Sequence, residues 1–253
     1  MEKNKKLSER EQYKEIIEAL KSDENYYGKF GQKFLSNSNI SVLLSNPLEL
    51  HSEQEYNINF LIGGYFHTAV LEPEKLVNYK IIDAATRNNK KYKEESENKM
   101  CLLKKEADRV MLMKEALDKN KYCSSLIKGF DVVYEMPGVK NIGGNMWKGK
   151  ADIINHSEGL VIDLKTTSNL DSFQYNSHKY NYDSQAYIYK EIFDYDMLFM
   201  VIDKNTHQIG LFDCSEPFYL KGSAKVQKAN DVYNLFYKTE GFDPEQFFIS
   251  KTL

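Results

Sequence analysis

The stretch KGKADIINHSEGLVIDLKTT, Lys148–Thr167, decides how this chain is read. Ala151–Ile154 and Leu160–Leu164 are aliphatic and β-branched, and Asn155–Gly159 between them supplies turn-type residues. The pattern predicts an antiparallel hairpin about Ser157–Glu158. In that register Asp152 falls opposite Asp163. Directly opposed side chains stand roughly 4.5–5.5 Å apart at Cβ, where like charges destabilise a sheet. Lys165 lies two residues past Asp163 and projects to the same face, with Ile154 and Val161. Two carboxylates at the margin of an apolar surface repel, and one takes up a proton unless a cation separates them. Two readings stay open. A hard divalent ion such as Mg²⁺, which prefers oxygen ligands and often takes only one or two carboxylates, removes the conflict. Alternatively, Lys165 alone neutralises the pair on a solvated hairpin face.

The rest of the chain narrows the choice. Its 253 residues suffice for one large domain with a sizeable core, and the apolar share of 42% is ordinary. A net charge of −3 excludes a generally basic nucleic-acid binder, so any such contact must come from a local patch. Cys101, Cys123 and Cys214 are odd in number and widely spaced. They make neither a disulfide framework nor a zinc or iron–sulfur quartet, and they suggest a reducing compartment. No apolar run approaches the roughly 18 residues that a membrane span needs. The Met1–Arg10 start is too polar for a secretory signal, so the expected location is cytoplasmic, with no membrane contact.

Apolar spacing predicts helices over Glu11–Leu20, Asn39–Leu44 (capped by Ser38), Tyr56–Leu71, Lys99–Lys119, Ser172–Phe193 and Glu216–Glu240. Strands are expected at Lys80–Asp83, from Asp131–Met136 through the hairpin, at Met197–Asp203 and at Gln208–Asp213. The order is helix, strand meander, helix, strands, helix. It implies a mixed central sheet flanked by helices, in the α/β class bordering on α+β.

Four further features bear on the acidic pair. His67 follows Gly63–Gly64 by one turn inside an apolar helix. Glycine there costs roughly 1 kcal/mol against alanine, which calls for a reason such as a close approach of backbone or ligand. The alternative for a lone histidine is a core imidazole bonded to a carbonyl. Gln185 and Tyr189 are four apart on one helical face and could hold a phosphate or a base, or simply be core. Glu135 closes an apolar strand as an additional ligand or as an edge carboxylate. Arg87, Lys91 and Lys93 lie in a modestly basic run that is either solvated surface or a phosphate track.

These segments together resemble a known family. GGYFHTAVLEP is similar to the G-x-x-x-H helix of RecB-type nucleases, KGKADII with VIDLKTT to the D…(D/E)-x-K core of the PD-(D/E)xK superfamily, and YDSQAYIY to its Q-x-x-x-Y helix. With LLSNP upstream and LEP after the histidine, the order most resembles the phage and prophage exonucleases of the RecE type, and more distantly lambda exonuclease. The likeness runs from about Ser36 to Phe193, and four motifs in order are far more specific than D-x-K alone.

The resemblance implies a single restriction-endonuclease-like nuclease domain over residues 1–253, with 1–35 a peripheral helical segment. It implies that Asp152, Asp163, His67 and the Leu164 carbonyl bind Mg²⁺, one ion or two, with Mn²⁺ able to substitute. Glu135 matches the family's upstream glutamate more loosely. Lys165 would orient or activate the attacking water, and Gln185 and Tyr189 would position DNA. The implied activity is 5′→3′ exonucleolytic cleavage at double-stranded DNA ends for recombination, by a homo-oligomeric ring working beside a single-strand annealing recombinase. A RecB-like endonuclease or another repair nuclease is the enzymatic alternative. A catalytically silent DNA-binding module on the same fold is the alternative of another class, and the filled Asp163 and Lys165 positions argue against it. Three scattered cysteines cannot supply the four ligands of the iron–sulfur relatives.

Overall fold

Alternation of aliphatic residues builds a central sheet covered on both faces. The computed structural model describes residues 9–52 and 57–248. Two short strands, β1 (Ile81–Ile82) and β2 (Leu102–Leu103), pair in parallel apart from the main sheet. The main sheet follows in the order β3 (Val132–Ile142), β4 (Asn145–Asn155), β5 (Leu160–Thr167), β6 (Asp196–Asp203) and β7 (Ile209–Asp213). Neighbours are antiparallel except β5 and β6, which run parallel. A parallel pair needs a crossover.

The helices are α1 (Glu9–Leu20), α2 (Asp23–Tyr27), α3 (Asn37–Ser45), α4 (Ile58–Leu71), α5 (Lys90–Ser96), α6 (Lys104–Lys119), α7 (Lys121–Lys128), α8 (Phe173–Lys179), α9 (Tyr182–Phe193) and α10 (Glu216–Lys238). The β5–β6 crossover is α8 and α9. On β6 the side chains sort with period two. Met197, Phe199 and Val201 join the core under α3, α9 and α10, whereas Leu198, Met200 and Ile202 join the core under α4, α6 and α7. Burial on both faces explains why β6 reads as an unbroken apolar run. A smaller core, formed by Leu20, Tyr26, Phe34 and Val139, fastens α1 and α2 to β3. The mixed α/β sheet expected from the sequence is therefore present. Among the described residues no helix is long and apolar enough to cross a membrane.

Several elements depart from expectation. The helix predicted over Ser172–Phe193 is two helices, broken at Asn181, whose φ is +58°. Asparagine tolerates this left-handed conformation, and the Asn181 side chain accepts a hydrogen bond from Lys225 (2.9 Å), so no proline or glycine is needed to stop α8. The helix predicted over Lys99–Lys119 gives up Leu102–Leu103 to β2 and begins at Lys104, where Glu106 accepts the Leu103 amide at 2.9 Å. Ser36, not Ser38, caps α3, and Asn39 reaches back to its amide at 2.8 Å. Tyr56 lies outside the described residues, and α4 starts after Asn57, which caps it by accepting two amides. The helices α5 and α7 are absent from the expected elements: α5 is short and charged, and α7 spans only eight residues, although Cys123, Leu126 and Ile127 line its buried face.

Candidate active site

The β4–β5 ladder joins Asn155 to Leu160, Ile154 to Val161 and Ile153 to Ile162, and there it stops. One more step would oppose Asp152 and Asp163, as the hairpin reading requires. Instead the Leu164 amide donates to Asp152 Oδ2 at 2.8 Å, so a side chain takes the place of a ladder bond. The β3 side opens at the same point. Tyr134 pairs with Ile153 and Met136 with Ala151, while Glu135 and Asp152 between them do not pair. Glu135 sits at φ +49°, a conformation that costs a non-glycine residue roughly 1–3 kcal/mol and tends to persist at functional positions. The alternation slips there as well. Ala151 and Ile154, three apart, both face the core under α9. The slip turns Asp152 towards α4.

That turn assembles the cluster. His67 Nδ1 lies 3.3 Å from Asp152 Oδ2. One ligand atom from each of His67, Glu135 and Asp152 falls within 4.8 Å of the other two. Beside them Asp163, 2% exposed, accepts a hydrogen bond from Gln185 Nε2 at 2.5 Å on Oδ1, and Lys165 Nζ approaches Oδ2 at 2.5 Å. Tyr182 covers this lysine, with its ring centroid 4.9 Å from Nζ.

The electrostatics follow from burial and opposed charge. Burial alone would raise the Asp152 pKa, but the His67 charge and hydrogen bond, with Lys165 and the Leu164 amide, hold it below the usual carboxylate range. Asp163 is raised by burial and by Asp152, against the pull of Lys165. Glu135 is raised by burial and by Asp152. Burial would lower His67, yet the Asp152 carboxylate outweighs it and brings the imidazole to about 9. Three carboxylates gather around one imidazole and one lysine, an acidic cluster that these cations offset only in part. A hard divalent cation fits this donor set, since carboxylate oxygens and an imidazole nitrogen already converge from three elements.

The sequence-derived residues thus fall into two groups. His67, Glu135, Asp152, Asp163, the Leu164 backbone, Lys165 and Gln185 come together. Tyr189 stands behind them. It is buried, its hydroxyl donates to the Lys150 carbonyl at 2.9 Å and accepts the Lys150 amide at 3.3 Å, and it packs on Gly149. Arg87, Lys91 and Lys93 do not join the cluster. Arg87 forms a double hydrogen bond to Glu106 (2.8 and 2.5 Å) and another to the Cys101 carbonyl, which closes the small core of Ile82, Tyr92, Cys101 and Leu103. Lys91 and Lys93 are exposed on α5.

Sequence reasoning missed Lys150, which bridges Glu135 at 3.2 Å and Asp23 at 2.5 Å. Lys148 was missed too; it is buried and bonded to the Tyr26 carbonyl. Their alternation in KGK was the available signal, since residues two apart on a strand share a face. Their partners on α2 lie more than a hundred residues away, and nothing local announces them.

A family model described as a PDDEXK-like domain of unknown function (DUF3799) matches residues 44–245. No curated protein matches the chain. Among solved structures, a presumptive exonuclease from Eubacterium rectale shares the fold at a TM-score of 0.63 and 16% identity, covering 92% of this chain and 95% of its own. A phage-related exonuclease from Haemophilus somnus 129PT aligns with a TM-score of 0.37 and 16% identity over 79% of this chain and 93% of its own. The mixed sheet and the family match over most of the chain agree, and the chain belongs to the PDDEXK-like family that this model describes.

Proposed function

We propose that this protein is a divalent-metal-dependent deoxyribonuclease, and specifically a 5′→3′ exonuclease acting on double-stranded DNA ends in recombination. The observation that carries the reading is the convergence of His67, Glu135 and Asp152 within 4.8 Å, beside the Asp163–Lys165 pair. The designation of the Eubacterium rectale neighbour is in keeping with it. His67, Glu135 and Asp152, with Asp163 and the Leu164 carbonyl as proposed further ligands, would hold Mg²⁺ or Mn²⁺. When bound, such an ion supplies a nucleophile near neutral pH and neutralises charge on the phosphoryl oxygens.

The chain's own residues have definable tasks. Lys165, charged because Asp163 outweighs its burial, presents a fixed positive group to the charge that grows on the phosphate. Gln185 fixes one oxygen of Asp163 and leaves the other to Lys165. The Leu164 amide fixes Asp152. Tyr189 holds the β4 backbone at Lys150, two residues before Asp152, and so acts as a positioning residue. A ring-shaped homo-oligomer and a single-strand annealing partner belong to the same proposal.

The test is a time course on linear duplex DNA labelled on one strand, compared with closed circles and with ends carrying a 5′-phosphate or a 5′-hydroxyl. Mg²⁺-dependent loss of one strand from 5′ ends with circles untouched is the expected result. Cutting of circles would replace it with an endonuclease reading.

A further inference from the structure

We propose that Tyr27, on α2, is a stacking platform for an unpaired nucleobase of the strand being cut. The inference rests on the nuclease reading above and adds to it a residue outside the family match, which begins at residue 44.

Tyr27 is 69% exposed, and the α2 residues beneath it are tied to β4. Lys148, buried, donates to the Tyr26 carbonyl and lies 4.2 Å from the Tyr26 ring centroid. Lys150 grips Asp23 at the start of α2. Gly31 turns the chain directly under this contact, where a Cβ would meet the Tyr26 carbonyl oxygen and Lys148 Nζ at 2.6 Å or less. Tyr26 then supports Tyr27 edge-on, with centroids 5.0 Å apart. A bulky ring held on this support yet left open to water buries little surface of its own.

Its position gives it a use. Lys150 Nζ lies 5.8 Å from the Tyr27 centroid and 3.2 Å from Glu135, which belongs to the His67–Glu135–Asp152 cluster. The Asp163–Lys165 pair also has aromatic neighbours. Tyr182 covers Lys165, and Tyr180, 56% exposed, lies 6.0 Å from Tyr182 between centroids. Aromatic faces beside lysines, close to the acidic cluster, are the combination on which unpaired bases stack. Every base offers a π-face, so the preference is for an unpaired strand and not for a sequence. Bases inside a duplex are already stacked on both faces, so an unpaired base has the freer access to the ring.

The test measures binding apart from cleavage. A single-stranded oligonucleotide carrying 2-aminopurine at successive positions from its end is titrated, in EDTA, with wild-type protein and with Tyr27→Ala, Tyr27→Leu and Tyr27→Trp. Wild type and Tyr27→Trp should quench the probe at one position. Tyr27→Ala and Tyr27→Leu should lose that quenching and bind roughly ten-fold or more weakly, which is the scale of one lost base–aromatic stack. In Mg²⁺ the same two variants should raise KM for single-stranded substrate with kcat little changed. Equal quenching and affinity across all four proteins would overturn the proposal, whatever the cleavage assay gives. Position-specific quenching that depends on residue 27, in a protein that cleaves nothing, would uphold the platform and refute the nuclease reading.

Discussion

Asp163 and Lys165 illustrate how one ion pair sets both stability and chemistry. Asp163→Ala removes the partner of a lysine whose side chain is only 19% exposed. Leaving such a charge unpaired costs about 3–5 kcal/mol, so denaturant unfolding should show a large loss. Asp163→Asn removes the same charge and turns its amide nitrogen towards a donor, Gln185 Nε2 or Lys165 Nζ, so it should lose a comparable amount, while cleavage falls to background in both variants. An Asp163→Asn variant as stable as wild type would refute the ion-pair assignment. Lys148 carries a different prediction. Burial lowers its pKa from 10.5 to about 8, so between these values the unfolded chain binds more protons than the folded one. Stability from this residue therefore rises with pH across that window, and below about pH 8 its full cost is present. The unfolding free energy of wild type minus that of Lys148→Met should shift in favour of wild type from pH 7 to pH 10. A flat difference would mean that Lys148 is not buried as a charge.

At the scale of elements, β4 is held from behind by α9. Tyr189→Phe removes both hydrogen bonds to the Lys150 backbone, in a part-buried setting. A stability loss of about 1–3 kcal/mol is expected, with a fall in kcat and little change in KM. Gln185→Ala, one turn earlier, frees Asp163 and should lower activity roughly 10–100-fold, the usual range for groups that orient ligands. The hairpin was legible because period-two alternation and a turn cluster fix its register, and the helical spacing of Gln185 and Tyr189 put both on the sheet side. Glu135 was legible only as a charged residue in an apolar strand. Its positive φ and the slip in alternation at Asp152 arise from ladder bonds that fail on two neighbouring strands at once, and no local pattern encodes that. The break at Asn181 was hidden for a related reason. Asparagine is neutral in a helical pattern, and only its tertiary bond to Lys225 commits it to the left-handed turn.

On α5 charges of both signs stand side by side, with Lys90 facing Glu94 and Lys91 facing Glu95. Replacing Lys91 and Lys93 by alanine tests whether α5 follows the DNA backbone. If both lysines neutralise phosphates, the slope of log K against log salt should flatten by about 1.8 for duplex DNA. An unchanged slope would return α5 to ordinary surface. Arg87 is not part of that test, because its Glu106 pair is structural. The site draws on both helical layers. His67 comes from the helical layer on one face, Gln185 from the layer on the other, and the opened sheet at Asp152 lies between them. Distant segments thus have to fold together before any cleavage is possible.

The most direct test is the rate of DNA hydrolysis by wild type and by Asp152→Asn, each with Mg²⁺ and with excess EDTA. A metal-dependent site built on the His67–Glu135–Asp152 cluster predicts rapid cleavage by wild type in Mg²⁺ and none in the other three reactions. Cleavage by wild type that survives EDTA, or cleavage by Asp152→Asn at the wild-type rate, would contradict it.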